Sequence, residues 1–286
     1  MESYGSFSVQ PDAPIGIFDS GIGGMTVADA IRYRMPEESL LYFGDTAHLP
    51  YGDKSPASIR HYASFITRLL FDEGCKAVVI ACNTASSYAH GDLQREFSGK
   101  APVISVIEPV AEYVAEHYSR RKIGLIGTKG TVGSRVYVRR IKRAAPQVRI
   151  ASRATPLLAP MIEEGFFDNT ISRTIIASYL AKKNFEDIEA LVLGCTHYPL
   201  IKEEIGEYYQ GRVRVIDPSV LVAQRLEERL DDKGLRKRPE DPSPSHRFFV
   251  SDLTEAFENS TRLFFGNKVP LKEWRIWEDH SLYQDA

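Results

Sequence analysis

Two cysteines sit in turns that suit acid/base thiols. Cys82 lies in ACNTAS and Cys195 in GCTHYP; each closes an apolar run and each is followed by hydroxyl, amide or imidazole side chains. A single cysteine in such a place is as well explained by a buried core thiol. Two in matching settings point to a shared task. Inversion at the α-carbon of an amino acid needs one group to take the Cα proton from one face and another to return a proton on the opposite face. A thiolate and a thiol on opposite sides do this, and they exchange roles for the reverse direction.

A free thiol titrates near 8.5, so a base of this kind needs a nearby cation, dipole or hydrogen-bond donor. His197, two residues beyond Cys195, is the tuner for that thiol. Asp19, in FDSGIGG, is suited to relay a proton beside Cys82 or to meet a substrate ammonium. FDSGIGG lacks the GxGxxG order of a dinucleotide turn. It reads instead as a strand, a tight turn and a helix start whose free N–H groups attract a carboxylate, with Asp19 and Ser20 lining the pocket. Cys75, in DEGCKAVV, has no polar company and reads as a structural residue leading into a strand.

The elements that position these groups alternate. Strand-like runs (PIGIFDSG, SLLYFGD, AVVIACN, APVISVI, KIGLIG, VRIASRAT, ALVLGC, RVRVID) are separated by stretches with helical apolar spacing, such as SIRHYASFITRLLFDEG. This predicts an α/β fold with mostly parallel sheets covered on both faces. KAVVIACNTAS and EALVLGCTHYP resemble each other, as do IGIFDSGIGG and IGLIGTKGTV upstream; Asp19 precedes Cys82 by 63 positions and Gly127 precedes Cys195 by 68. Two similar α/β halves are expected, each placing a thiol beyond the carboxyl end of a strand, where open α/β sheets bind ligands. Residues 1–13 read as a flexible leader. FFVSDLTEAFENSTRLFFGN resumes a strand and a helix, and the residues after it are expected to pack on the body.

The 286 residues carry a formal net charge of −2, with 43% hydrophobic and 26% charged residues. That balance leaves no electrostatic footprint for nucleic acid or an anionic membrane as primary partner. The basic stretch in DDKGLRKRPEDPSPSHR, with acidic residues interspersed, reads as a solvated loop. No apolar run reaches about 20 residues, and the start lacks the regions of a signal peptide, so a cytoplasmic location is expected. Three cysteines without a CxxC pair or a Cys/His cluster argue for reduced thiols and against a metal site. A redox pair of Cys82 and Cys195 would need their Cα atoms within about 7 Å, whereas inversion needs the sulfurs apart on either side of a substrate.

FDSGIGG, GDTAHLPYG, ACNTAS and GCTHYP, in this order, resemble the glutamate racemase family within the cofactor-independent aspartate/glutamate racemases; the resemblance runs from about Ile15 to about Asn267. It implies two similar domains facing across a central active-site cleft, a first over 14–108 with 218–286 and a second over 109–217, with interconversion of L- and D-glutamate without cofactor, D-glutamate for peptidoglycan, and a homodimer, gyrase inhibition being a secondary role in some members. By the same resemblance Cys82 and Cys195 are the catalytic thiols, supported by Asp19 and His197. Asp19, Ser20, Tyr51, Gly52, Asn83, Thr84, Thr128, Thr196 and His197 would bind substrate. Asp45 and Glu163 would be auxiliary acids, Glu164 being the alternative to Glu163. An aspartate or hydantoin racemase, and a non-catalytic binder, are the competing readings.

Overall fold

The computed structural model describes residues 9–238, 243–266 and 268–278. The strands are β1 (Ile15–Asp19), β2 (Leu40–Gly44), β3 (Ala77–Ile80), β4 (Val103–Ser105), β5 (Lys122–Gly127), β6 (Arg149–Ala154), β7 (Ala190–Gly194), β8 (Arg214–Ile216), β9 (His246–Val250) and β10 (Lys272–Glu273). Between them run α1 (Met25–Arg34), α2 (Pro56–Asp72), α3 (Asn83–Glu96), α4 (Ile107–His117), α5 (Lys129–Ser134), α6 (Val136–Ala144), α7 (Leu158–Glu163), α8 (Thr170–Leu180), α9 (Lys202–Tyr208), α10 (Pro218–Asp232) and α11 (Glu255–Phe265).

The strands form two sheets, ordered β10-β9-β2-β1-β3-β4 and β6-β5-β7-β8, and every pairing in them is parallel. Setting β9 and β10 aside, the two orders are the same: second, first, third, fourth. Cys82 follows the third strand of one sheet and Cys195 the third strand of the other, which is the repetition the sequence suggested.

The first sheet is apolar on both faces because α-helices cover both. Ile15 and Ile17, Leu40 and Tyr42, and Ala77 and Val79 face one core. Their neighbours Phe18, Leu41, Phe43, Val78 and Ile80 face the other, against Ile59, Ile66 and Leu70 of α2. Residues of one strand thus alternate between two cores, which explains runs with no polar alternation. Ser55 caps α2, its hydroxyl accepting from Ser58 N, and Pro56 opens the helix where no N–H is needed.

The register brings the carboxyl ends level. Asp19 pairs with Gly44, Gly44 with Val250, and Phe18 with Ile80, so the turns carrying Asp19, Asp45, Cys82 and Ser251 open side by side. In the second sheet Gly127 pairs with both Ala154 and Gly194, which aligns Thr128, Thr155 and Cys195.

The C-terminal strand β10 had no sequence signal beyond the expectation of packing; it extends the sheet beyond β9 and leads to Trp274, Ile276 and Trp277. The basic stretch after α10 differs from a solvated loop. Arg236 bonds Glu227 at 2.8 Å, and Lys237 is buried, its backbone N donating to Glu38 Oε1 at 3.0 Å. Residues 239–242 of that stretch, residues 1–8 of the leader and the tail from 279 lie outside the described residues. No helix among the described residues is long and apolar enough to cross a membrane.

Candidate active site

Cys82 leaves β3 and becomes the N-cap of α3, its sulfur accepting from Ala85 N at 3.4 Å. Its sulfur also lies 3.7 Å from Ser20 Oγ, donating to it as a thiol and accepting from its hydroxyl as a thiolate. The sequence motif therefore places a sulfur where Ser, Thr or Asp would normally cap. Burial raises its pKa to about 12, with the Asp19 charge adding to the effect and the bonds from Ala85 and Ser20 opposing it. The charge on Cys195 acts on Cys82 too, so the two sulfurs share one electrostatic neighbourhood.

Cys195 stands beyond β7, buried, with its Sγ 3.7 Å from His197 Nδ1. The other ring nitrogen, Nε2, lies 2.7 Å from Glu163 Oε1 at the end of α7. Burial works against the imidazolium, but the bonds to Cys195 and Glu163 outweigh it and hold the His197 pKa well above its ordinary value. Glu163 is thus the acid at His197, and Glu164 is exposed. Phe264 of α11 meets the imidazole edge-on at 5.3 Å.

Asp19 is fully buried at the end of β1, with Oδ2 accepting from Gly24 N at 2.9 Å and Gly21 N at 3.3 Å. Its Oδ1 has no hydrogen-bond partner among the described residues. Burial raises its pKa, partly countered by the His197 charge and the backbone N–H groups of Gly24, Gly21 and Ser20. Asp19 therefore acts on both thiol surroundings rather than on Cys82 alone.

The remaining sequence-predicted residues divide into two groups. Thr84 and Thr128 meet from opposite sheets with their hydroxyls 2.9 Å apart, and Gly52 packs so closely on Thr128 that a Cβ there would lie 2.9 Å from the Thr128 Cβ. Asn83, Thr196 and Ser20 are buried beside the thiols. Asp45 and Tyr51 form the second group, bonded to each other. Asp45 is fully buried and accepts from Tyr51 Oη (2.6 Å), Ser251 Oγ (2.9 Å) and Trp277 Nε1 (2.7 Å), with His48 Nδ1 at 3.0 Å. The Tyr51 phenol is therefore committed to the turn that presents Gly52. Cys75 lies away from all of this, beside Gly16 and Leu70 before β3 begins, and burial raises its thiol to about 12. All three cysteines are free.

Sequence reasoning missed several residues here. Tyr137 of α6 donates to Asn83 Oδ1 at 2.6 Å, Tyr42 of β2 donates to Gly21 O at 2.7 Å, and Thr26 of α1 donates to Thr196 O at 3.1 Å. Tyr42 and Tyr137 read as core residues within their elements, and only the fold aims their hydroxyls. No group of three or more His, Cys, Asp or Glu side chains suited to a metal ion occurs among the described residues.

The arrangement brings together two buried sulfurs, a buried carboxylate with one oxygen unpartnered among the described residues, and a His–Glu pair, at the strand ends of two sheets. It is suited to moving protons on either side of a small anionic molecule. Residues 25–226 match the family model described as Asp/Glu/Hydantoin racemase. The chain belongs to the Asp/Glu/Hydantoin racemase family. Among family members it is 41% identical over 260 residues to the glutamate racemase of Chlorobium phaeobacteroides, covering 91% of this chain and 95% of that one. The crystal structure of the Francisella tularensis glutamate racemase in complex with D-glutamate superposes with a TM-score of 0.86 at 35% identity, covering 92% of this chain and 98% of that chain. The Thermus thermophilus glutamate racemase, in complex with β-chloro-D-alanine, gives 0.84 at 39% identity, covering 94% and 99%.

Proposed function

We propose that this chain is a glutamate racemase that interconverts L- and D-glutamate by proton transfer at Cα between Cys82 and Cys195. The observation that carries the reading is the matching position of the two thiols, each beyond the third strand of its own sheet and within electrostatic reach of the other. In this reading 14–108 with 218–286 and 109–217 act as the two domains flanking the substrate.

The chemistry follows from the surroundings. The substrate ammonium finds the unpartnered Oδ1 of Asp19. Its carboxylates meet hydroxyls (Ser20, Thr84, Thr128, Thr196), the Asn83 amide and the N–H groups opening α3, which carry the positive end of the helix dipole. On one face the Cys195 thiol passes its proton to His197, whose imidazolium Glu163 supports, and the resulting thiolate takes the Cα proton to leave a planar carbanion. On the other face the buried Cys82 thiol, kept protonated at neutral pH, delivers a proton to the planar carbanion. Reversal of the two roles returns the other enantiomer. The enzyme acts without a cofactor, in the cytoplasm and as a homodimer, and supplies D-glutamate for peptidoglycan.

The test is incubation of the enzyme in D2O with L-glutamate and, separately, L-aspartate. Deuterium at Cα of glutamate with loss of optical rotation is expected, and Cys82→Ala and Cys195→Ala should each lower the rate by at least about 10³-fold. Turnover of aspartate but not glutamate, or exchange in neither, would overturn the assignment.

A further inference from the structure

Polar contacts join the two sheets' elements around the site, among them Thr84 to Thr128 and Thr131, Thr26 to Thr196, Tyr88 Oη to Gly130 O at 3.1 Å, and Tyr137 Oη to Asn83 Oδ1. The last differs in kind. Tyr137 has no exposed surface, and its hydroxyl reaches from α6 to the side chain that directly follows Cys82. Arg135, with a left-handed backbone (φ 56°), breaks α5 from α6 two residues earlier, and Arg140 pairs with Glu108 of α4 at 3.4 Å one turn later. The start of α6 is thus held at both sides of Tyr137.

A carboxamide is nearly the same shape either way round, but its two ends are opposite in function: one accepts and the other donates two hydrogen bonds. The Tyr137 hydroxyl gives its proton to Oδ1, which leaves the NH2 as the end available to a ligand. A flipped Asn83 would turn oxygen lone pairs toward a carboxylate and would leave the buried phenol proton seeking another acceptor.

We infer that Tyr137 is a positioning residue for substrate binding, fixing the Asn83 amide with its NH2 toward a substrate carboxylate. This rests on the glutamate racemase reading and adds a residue to it. Because phenol and amide come from different sheets' elements, the orientation of Asn83 is set by the apposition of the two halves.

The experiment compares wild type, Tyr137→Phe, Asn83→Ala and the double variant, with kcat and KM measured for L- and D-glutamate and the melting temperature measured for each. Tyr137→Phe keeps the ring and should raise KM about tenfold for both enantiomers, with kcat changed less than about threefold, because binding common to ground and transition states is what is lost. If Tyr137 acts through Asn83, the double variant should match Asn83→Ala within about twofold. A KM unchanged in Tyr137→Phe, a double variant whose loss is the product of the single losses, or a Tyr137→Phe protein that does not fold would each overturn the inference and assign the hydroxyl to the core. Failure of the wild type to racemise glutamate would instead remove the functional reading, and this inference with it.

Discussion

Asp19 is a carboxylate with no exposed surface and one oxygen unpartnered among the described residues. Burial raises its folded pKa, so ionisation costs stability once the pH exceeds the ordinary carboxylate range near 4. Asp19→Asn is therefore expected to be more stable than wild type at pH 7 in denaturant titrations. The gain should grow as pH rises from about 4 to the raised folded pKa and vanish below that window. Activity should meanwhile fall at least about 100-fold, because the substrate ammonium loses its counter-charge. His197 shifts stability with pH in the same direction, since its folded pKa is raised too, but there it is the charged form that the fold favours. Its raised pKa adds stability that is fully present below the ordinary imidazole value of about 6.5 and is lost as pH rises through the folded value. Glu163→Gln should lower the His197 pKa, seen as an NMR titration moved to lower pH, and should slow racemisation about tenfold or more. A His197 titration unmoved by Glu163→Gln would show that the 2.7 Å contact does not govern its charge. In the sequence both thiols and their neighbours were legible, since a reactive side chain at the end of an apolar run is visible without a fold. The setting of Glu163 against His197 was not, because 34 residues separate them and only the placement of α7 beside the β7 turn closes the gap.

At the scale of elements, the approach of α1 to the second sheet decides where His197 can stand. A Cβ at Gly23 would lie 2.5 Å from the His197 ring and 2.7 Å from Thr196 Oγ1. Gly23→Ala should fold with a melting temperature within a few degrees of wild type and lose about 100-fold in kcat/KM, since a displacement near 1 Å at a reacting group has that effect. Retained activity would mean that the imidazole can move without consequence. Gly44 is placed differently: a Cβ there would meet the Gly21 carbonyl at 2.2 Å, backbone against backbone, and the strand itself would have to shift. Strands β2, β3 and β7 were readable because each is apolar along its length, as burial on both faces demands, whereas β10 is Lys-Glu and carried no such signal. The break at Arg135 was not: KGTVGSRVYVRR carries no proline, and its helical spacing hides the residue where the chain turns.

For the whole molecule, the C-terminal segment closes over the first sheet. Trp277 donates to Asp45, meets His48 at 4.7 Å and Tyr62 at 5.4 Å, and packs on Phe65 at 5.0 Å. Trp277→Ala is expected to cost about 2 kcal/mol, roughly 4 to 8 °C in Tm, and to raise KM by loosening the turn that presents Gly52. An unchanged melting temperature would show the segment to be dispensable. Nothing in VPLKEWRIWEDH predicted the bond from Trp277 to Asp45, since 232 positions lie between the partners. The repetition of the two halves, by contrast, was visible as two short likenesses, and the shared strand order is its structural form. That repetition is imperfect where it matters: one sulfur has a carboxylate and a serine for company, the other an imidazolium backed by glutamate. Mirror-image substrates nevertheless have equal free energy in water. For a racemase the ratio of kcat/KM in the two directions is therefore pinned at one, and the unlike neighbours can alter kcat and KM only in step. No mutation in either half can bias the final mixture away from equal parts, so any excess of one enantiomer in the cell must come from the reaction that consumes the other.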